Sequence, residues 1–550
     1  MSSVQGRGDK CLLVGDDKHL LAGAVKNASY SMVLQLLSRM LTFALNAFVL
    51  RYISRDMLGV VNIRLTLLYS TTLFLATEAF DKACLSRLDT HNWSQVINLM
   101  WCTVPASLVV TGVLGWVWVN LLENPEPTLM PGYSVGVASF ALATVLNCLS
   151  QPLFVLAQKH MFVKLKVFSQ GIAEVCKSVL TVFLVIYFPS LGLYNFALAQ
   201  VVYGVVISLV YYVYFIYYIV VYGKKDDTFP FTSVSQLFPT STRDLPFIDP
   251  RQAWLTVSFF KQSFLKQLLT EGEKYVMTIF GVLTFADQGI YDIVNNLGSL
   301  AARLIFQPIE ESGYLFFSQL LTHGQPRDKQ KQDSCALAVD VLSCLLKLVV
   351  LTGAIILVFG MAYSYLALDL YGGGLLSTGT GPVLLRWYCL YVLVIALNGT
   401  TECFVFATMS KQEVDRYNQK MVVFSLLFLL SSLLLTSVCG SVGFILANCL
   451  NMAARIAHSI YYILQYFRGS KFKPLHDVIP HPAVIASLLA ALIATLASER
   501  ILCCDQGLVG RVLHVGVGGI CLLAVLALVY LKETALVTFI KQQYNNWHKH

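Results

Sequence analysis

The run Leu191-GLYNFALAQVVYGVVISLVYYVYFIYYIVV-Tyr222 contains no Asp, Glu, Lys or Arg. About 20 apolar residues suffice for a helix to cross a bilayer, so this stretch reads as a transmembrane helix. Comparable runs fill most of the 550-residue chain. Only 13% of residues are charged and 56% are hydrophobic, with a mean hydropathy of +0.66. A soluble surface needs about 25% charge, so the composition excludes a soluble enzyme and indicates an all-α polytopic membrane protein.

Working outward from this run gives fourteen candidate spans: Ala28–Leu50, Gly59–Phe80, Ser94–Leu122, Tyr133–Ala157, Leu165–Phe188, Leu191–Tyr222, Leu255–Phe285, Gly289–Phe317, Asp333–Gly360, Pro382–Thr408, Asn418–Ser437, Ser441–Phe467, Val478–Ser498 and Leu508–Leu531. Residues 1–27 are polar and lack the apolar core of a cleavable signal peptide, so the first span is expected to serve as the insertion signal. Lys and Arg concentrate in the N-terminus, in every second loop and in the C-terminus, for example Lys159, Lys164, Lys224, Lys225, Lys329, Lys331, Lys471 and Lys541. The opposite loops hold only Arg51, Arg55, Arg500 and Arg511. Cytosolic loops carry the positive charge, so both termini are expected in the cytosol.

The longest cytosolic loop, 223–254, has Pro230, Pro239, Pro246 and Pro250, a linker composition. It divides the chain into a cytosolic tail (1–27), an N-lobe (28–222), the linker, a C-lobe (255–467), helices thirteen and fourteen (478–531) and a cytosolic tail (532–550). The longest loop on the other face, Met361–Gly381, contains Gly372-Gly373-Gly374 and reads as a flexible hairpin. Span two opens Gly59-Val-Val-Asn-Ile and carries Glu78 near its end; span eight opens Gly289-Ile-Tyr-Asp-Ile and carries Glu310. The match suggests a parallel repeat of the two lobes.

Ionisable residues at membrane depth cost at least about 2.5–3.5 kcal/mol each and so face a cavity or a partner. Here they gather in spans one, two, seven and eight: Arg39; Arg64; Lys261, Lys266, Glu271, Glu273 and Lys274; Asp292, Arg303, Glu310 and Glu311. In span seven, Gln262, Lys266 and Glu273 share one helical stripe, and Gln267, Glu271 and Lys274 another. Two polar stripes on one span indicate a water-filled cavity, with Gly272 as a bend. A deep guanidinium can grip a phosphate or diphosphate with two parallel hydrogen bonds. Elsewhere, Glu174 with Lys177 and Asp340 with Lys347 read as local structural pairs, and Arg386 as snorkelling to the surface. Glu402 and Arg455 are either packing partners or cavity residues.

Several chemistries lack their residues. There is no Gly-x-x-x-x-Gly-Lys-Ser/Thr loop, no His-Glu-x-x-His and no metal-spaced Cys/His cluster. The first lumenal loop, Arg51–Leu58, offers only Asp56, whereas lipid-phosphate glycosyltransferases carry an acidic motif on a sizeable loop. No enzyme, cofactor or nucleic-acid partner is expected. Cys102, Cys148, Cys176, Cys344, Cys389 and Cys449 sit in apolar runs as small hydrophobes; the Cys503–Cys504 pair has no assigned role. The sequons at Asn27, Asn92 and Asn398 are not expected to be glycosylated.

Four runs carry a resemblance: Val60-VNIRLTLLYSTTLFLATEAF-Asp81, Phe259-FKQSFLKQLLTEGEKYVMT-Ile279, Asp287-QGIYDIVNNLGSLAARLIFQPIEES-Gly313 and Gly440-SVGFILANCLNM-Ala453. From about Ala22 to Thr534 the chain resembles the Rft family of oligosaccharide-lipid translocation proteins of the endoplasmic reticulum. This family belongs to the multidrug/oligosaccharidyl-lipid/polysaccharide exporter superfamily. Thr77 and Asp81 depart from it, standing where basic residues are expected. The resemblance implies a MOP/MATE-like fold, with two six-helix lobes around a central cavity plus two C-terminal helices. It also implies a role in N-glycosylation, with dolichyl-diphosphate-linked oligosaccharide as cargo and membrane lipid as surroundings. On this reading Arg39, Arg64, Lys266 and Arg303 bind the diphosphate. Lys261, Glu271, Glu273, Lys274 and Arg455 are further cavity candidates. Two alternatives stand beside a flippase: a non-transporting accessory factor in assembly or delivery of the lipid-linked oligosaccharide, and a drug/cation antiporter using Glu271 and Glu273.

Overall fold

The computed structural model describes residues 38, 40–85, 92–127, 130–160, 162–222, 229–241, 246–472, 474–503, 507–538 and 541. These residues form helices joined by turns, with no strand among them. The helices are α1 (Met40–Val49), α2 (Arg55–Leu85), α3 (Trp93–Asn120), α4 (Tyr133–Cys148), α5 (Gln151–Lys159), α6 (Val163–Tyr187), α7 (Leu193–Tyr222), α8 (Pro250–Thr270), α9 (Gly272–Phe280), α10 (285–320), α11 (Gln332–Gly372), α12 (Gly381–Thr408), α13 (Lys411–Cys439), α14 (Val442–Tyr466), α15 (Pro482–Leu502) and α16 (Gly507–Lys532). Nine of them are long and apolar enough to cross a membrane: α2, α3, α6, α7, α11, α12, α13, α15 and α16. The bent pair α4 and α5 makes a tenth. The pair α8 and α9, α10 and α14 coincide with expected spans seven, eight and twelve but carry the charged and amide side chains. The first span is described at residues 38 and 40–50, which include α1, and Arg39 lies outside the described residues.

Packing divides the chain into two compact units. The first is 1–52 with 68–264; the second is 53–67 with 265–550. The division therefore falls within α2 and within α8.

In the first unit, α7 packs on α4 and α6. Gly204 permits the close approach to α4: a Cβ there would lie 2.9 Å from the Ala143 carbonyl oxygen. Between α4 and α5 the chain bends by 42°, because Pro152 has no N–H to give to the preceding turn. The bend leaves carbonyls that hydrocarbon cannot solvate. Two hydroxyls of α7 supply the missing donors, Ser208 Oγ to Leu146 O and Tyr212 OH to Leu149 O. Unlike a free linker, the described part of 223–254 is pinned to α3. Asn98 donates to Thr240 O and Phe247 O, both at 2.8 Å, and accepts from Thr240 N at 2.9 Å. Trp101 Nε1 donates to Leu237 O at 3.0 Å. Composition alone could not show this, since the partners sit on a distant helix. No ion pair joins Glu174 to Lys177 among the described residues. Lys177 Nζ lies over the Tyr203 ring instead, 5.6 Å from its centroid.

In the second unit, the start of α2 crosses the start of α10 backbone against backbone. A Cβ on Gly59 would lie 1.8 Å from Phe285 O, and one on Gly289 would lie 2.6 Å from Gly59 N. The two glycines that open the suggested repeat thus meet each other. The expected flexible hairpin is largely helix, because α11 runs on to Gly372. Arg55 then fastens the turn, donating from Nε to Leu375 O at 2.7 Å and from Nη2 to Thr378 O at 3.0 Å.

The hairpin α15–α16 docks on α11 through Leu351, Val358, Leu488 and Val525. Tyr363 stacks on His514 at 4.2 Å and donates to its carbonyl at 2.6 Å. Ion pairs bind the hairpin as well. Lys347 pairs with Glu533 at 2.9 Å rather than with Asp340, and Arg511 with Asp369 at 2.9 Å. Arg386 pairs with Glu499 rather than snorkelling. Of the sequons, Asn92 caps α3 and Asn398 is buried in α12; Asn27 lies outside the described residues.

The glycine crossing predicts a sharp contrast. Gly289→Ala forces backbone apart and should cost about 1–3 kcal/mol, seen as a clearly lower melting midpoint in detergent. Gly516 has open space around it, so Gly516→Ala should melt like wild type. Equal midpoints for all three proteins would rule out the crossing.

Candidate functional site

The polar helices of the second unit build one connected assembly. It begins at a chain break. Between α8 and α9, Glu271 leaves helical geometry (φ −100°, ψ 12°) and Gly272 starts the next helix. The expected bend is therefore present, at Glu271. Across it Lys274 Nζ pairs with Glu271 Oε2 at 3.0 Å. One residue away, Glu273 accepts from the Tyr291 hydroxyl of α10, and Asn448 Nδ2 of α14 lies at 3.5 Å. Next to Tyr291 in α10, the buried Asp292 accepts from Asn296 Nδ2 at 3.1 Å and has the Asn62 amide beside it. Tyr388 OH of α12 donates to Asn295 Oδ1 at 2.8 Å.

Two of these helices also change pitch. Val60–Leu65 in α2 and Ala302–Phe306 in α10 are π-helical, a form that recurs at functional sites. Each π segment carries an arginine. Arg64 is fully buried, with its guanidinium 5.1 Å from the Phe285 ring centroid. Arg303 is exposed and makes no hydrogen bond or ion pair among the described residues.

A second cluster surrounds Glu402 on α12. Arg455 grips it with two parallel hydrogen bonds, Nε to Oε1 at 2.9 Å and Nη2 to Oε2 at 2.8 Å. Tyr417 also donates to it, and Asn398 Nδ2 lies at 3.2 Å. Glu402 and Arg455 are packing partners in this structure. Glu402 also lines a cavity of about 570 Å³, together with Glu310, Glu311, Tyr314 and His323. Gly399 makes room there: a Cβ on it would overlap the Glu310 carboxylate.

Of the sequence-derived candidates, the structure brings Glu271, Glu273 and Lys274 together with Asp292. It sets Arg455 with Glu402, buries Arg64, and leaves Arg303 exposed. Lys261 and Lys266 are exposed on α8. Reasoning from charges alone misses Tyr291, Tyr388, Tyr417, Asn62 and Asn448, which make most of the hydrogen bonds. One signal for them exists: Asn448, Asn451 and Arg455 recur at helical spacing in α14.

The family model for the Rft protein matches residues 23–543. The chain belongs to the Rft family. A Mus musculus relative in this family is 52% identical over 527 residues, covering 96% of this chain and 97% of its own. A Drosophila melanogaster relative is 37% identical, covering 84% and 88%. Both bear the name Man(5)GlcNAc(2)-PP-dolichol translocation protein RFT1. Among solved structures, the Rft chain is similar to the lipid II flippase MurJ in an inward closed conformation. The TM-score is 0.60 at 10% identity, covering 91% of this chain and 98% of MurJ. It is also similar to an inward-facing MATE family transporter of the MOP superfamily, with TM-score 0.52 at 12% identity, covering 80% and 99%. The Rft fold here is thus all-α, polytopic and MOP/MATE-like.

The paired state of Arg455 yields a test. If it holds Glu402 in place, Arg455→Ala strands a buried carboxylate and should cost about 3–5 kcal/mol. The double variant Glu402→Met with Arg455→Met should recover most of the melting midpoint. An unchanged midpoint for Arg455→Ala would instead mark Arg455 as free for ligand.

Proposed function

We propose that the protein moves dolichyl-diphosphate-linked oligosaccharide from the cytosolic to the lumenal leaflet of the endoplasmic reticulum membrane, for protein N-glycosylation. The relatives' printed names supply the cargo, and the likeness to a flippase supports the class. The observation that carries the reading is Arg303, an exposed guanidinium without an ion-pair partner, on a widened turn of a membrane helix. A membrane helix retains such a charge when it has work to do. A diphosphate is its natural counter-ion.

The movement is alternating access. The two lobes, 28–222 and 255–467, rock against each other while the polyprenyl tail stays in lipid. Both termini face the cytosol. The Lys and Arg distribution supports this orientation.

The test uses liposomes holding only the purified protein and fluorescent dolichyl-diphosphate oligosaccharide. Wild type should equilibrate the lipid between leaflets. Arg303→Ala removes charge-assisted hydrogen bonds worth about 1.5–3 kcal/mol and should slow translocation roughly 10–100-fold at an unchanged melting midpoint. No movement by folded wild type that restores glycosylation in cells would refute transport and establish the accessory-factor reading.

A further inference from the structure

Two membrane helices end, and a third passes, at a cleft of about 950 Å³. This volume falls within the roughly 300–1,000 Å³ of small-molecule sites. Its walls are the first third of α11, the chain between α14 and α15, and the junction where α16 ends. Because α15 starts at Pro482 and α16 stops at Lys532, the cleft lies at the water–hydrocarbon boundary, the level of lipid head groups.

The walls are held in advance. Glu533, 4% exposed, accepts from Lys347 Nζ at 2.9 Å and from the His481 backbone N–H at 2.6 Å. Ser343 Oγ donates to Pro474 O at 2.9 Å, tying the intervening chain to α11. Lys347 and Glu533 cancel each other. Four charges remain among the described lining residues: Lys471 and Lys532, Asp340 and Asp477. Lys471, Lys532 and Asp340 make no ion pair among the described residues, and Asp477 meets only His476, at 3.1 Å. Lysines alone would suit any phosphate. Two acids beside them repel a purely anionic head group and suit one that carries an ammonium as well. Ile479 and Ile485, 74% and 37% exposed, add an apolar edge where acyl chains begin.

We propose that this cleft binds a membrane phospholipid with a zwitterionic head group, its phosphate on Lys471 and Lys532 and its ammonium on Asp340 and Asp477. The bound lipid fastens the α15–α16 hairpin to α11. The site is separate from any diphosphate cargo and does not depend on transport.

The full-length protein is purified, delipidated and melted in detergent with added phosphatidylethanolamine, phosphatidylglycerol, diacylglycerol or soluble phosphoethanolamine. Phosphatidylethanolamine should raise the midpoint most and bind at least tenfold more tightly than phosphatidylglycerol. The double variants Lys471→Gln with Lys532→Gln, and Asp340→Asn with Asp477→Asn, alter exposed side chains and should melt like wild type without lipid. Each should lose the preference. Equal stabilisation by all three lipids, or a preference kept in both variants, would overturn the site. A stronger effect of phosphatidylglycerol would overturn the zwitterionic assignment. Full stabilisation by phosphoethanolamine alone would overturn a lipid occupant.

Discussion

A charge carried into hydrocarbon must find a partner or water, and this constraint organises the second unit. Glu402 with Arg455 and Lys347 with Glu533 each join segments far apart in sequence. So do Arg386 with Glu499 and Arg511 with Asp369. In lipid the hydrophobic effect does not press one helix against another. Specific pairing and close backbone approach must choose the neighbours instead. Two pairs tie α15 and α16 to α11 and α12, and a third catches the chain just beyond α16. The hairpin therefore has a fixed seat rather than a merely greasy one. Gly518 belongs to the same seat, since a Cβ there would strike the Tyr363 ring that stacks on His514.

The first unit also uses neutral groups. Thr72 and Thr144 share a hydrogen bond at 3.0 Å, and Asn147 Nδ2 reaches the Tyr69 hydroxyl at 2.8 Å. Interhelical hydrogen bonds of this kind average only about 0.6 kcal/mol in membranes. Several together suffice where the helices are otherwise apolar, as along α7.

Spans were legible because a bilayer demands long apolar runs, and all the later spans coincide with helices. Pairings were not legible. For Glu174 with Lys177 and Asp340 with Lys347, sequence proximity suggested partners, yet Lys347 chose Glu533, far along the chain. A charge pairs with what the fold brings near, and only tertiary structure says what that is. The same holds for the stretch 361–381, where three glycines suggested flexibility. Continuation of α11 and the grip of Arg55 decided otherwise. Gly59 and Gly289 were the opposite case: a match noticed in sequence proved to be a contact. The candidate site was half legible. Its charges stood out against apolar surroundings, while its tyrosines and asparagines blended into them.

Irregular backbone and ionisable side chains coincide in this unit. The α8–α9 break falls on Glu271, and the two π segments carry Arg64 and Arg303. Open backbone groups at membrane depth are tolerated only where protein buries them or where they line a wet cavity. The two arginines illustrate both cases. Arg64 sits on a widened turn that is packed shut, against Phe285 beside the glycine crossing. Arg303 sits on a widened turn that is open. A π turn shifts the register of all residues after it, so each widening also sets which face the following residues present. Beyond Arg303, this register brings Glu310 against Gly399, the position at which any side chain would displace its carboxylate. The widened turn, the exposed guanidinium and the acid-lined cavity are thus consequences of one local choice in α10.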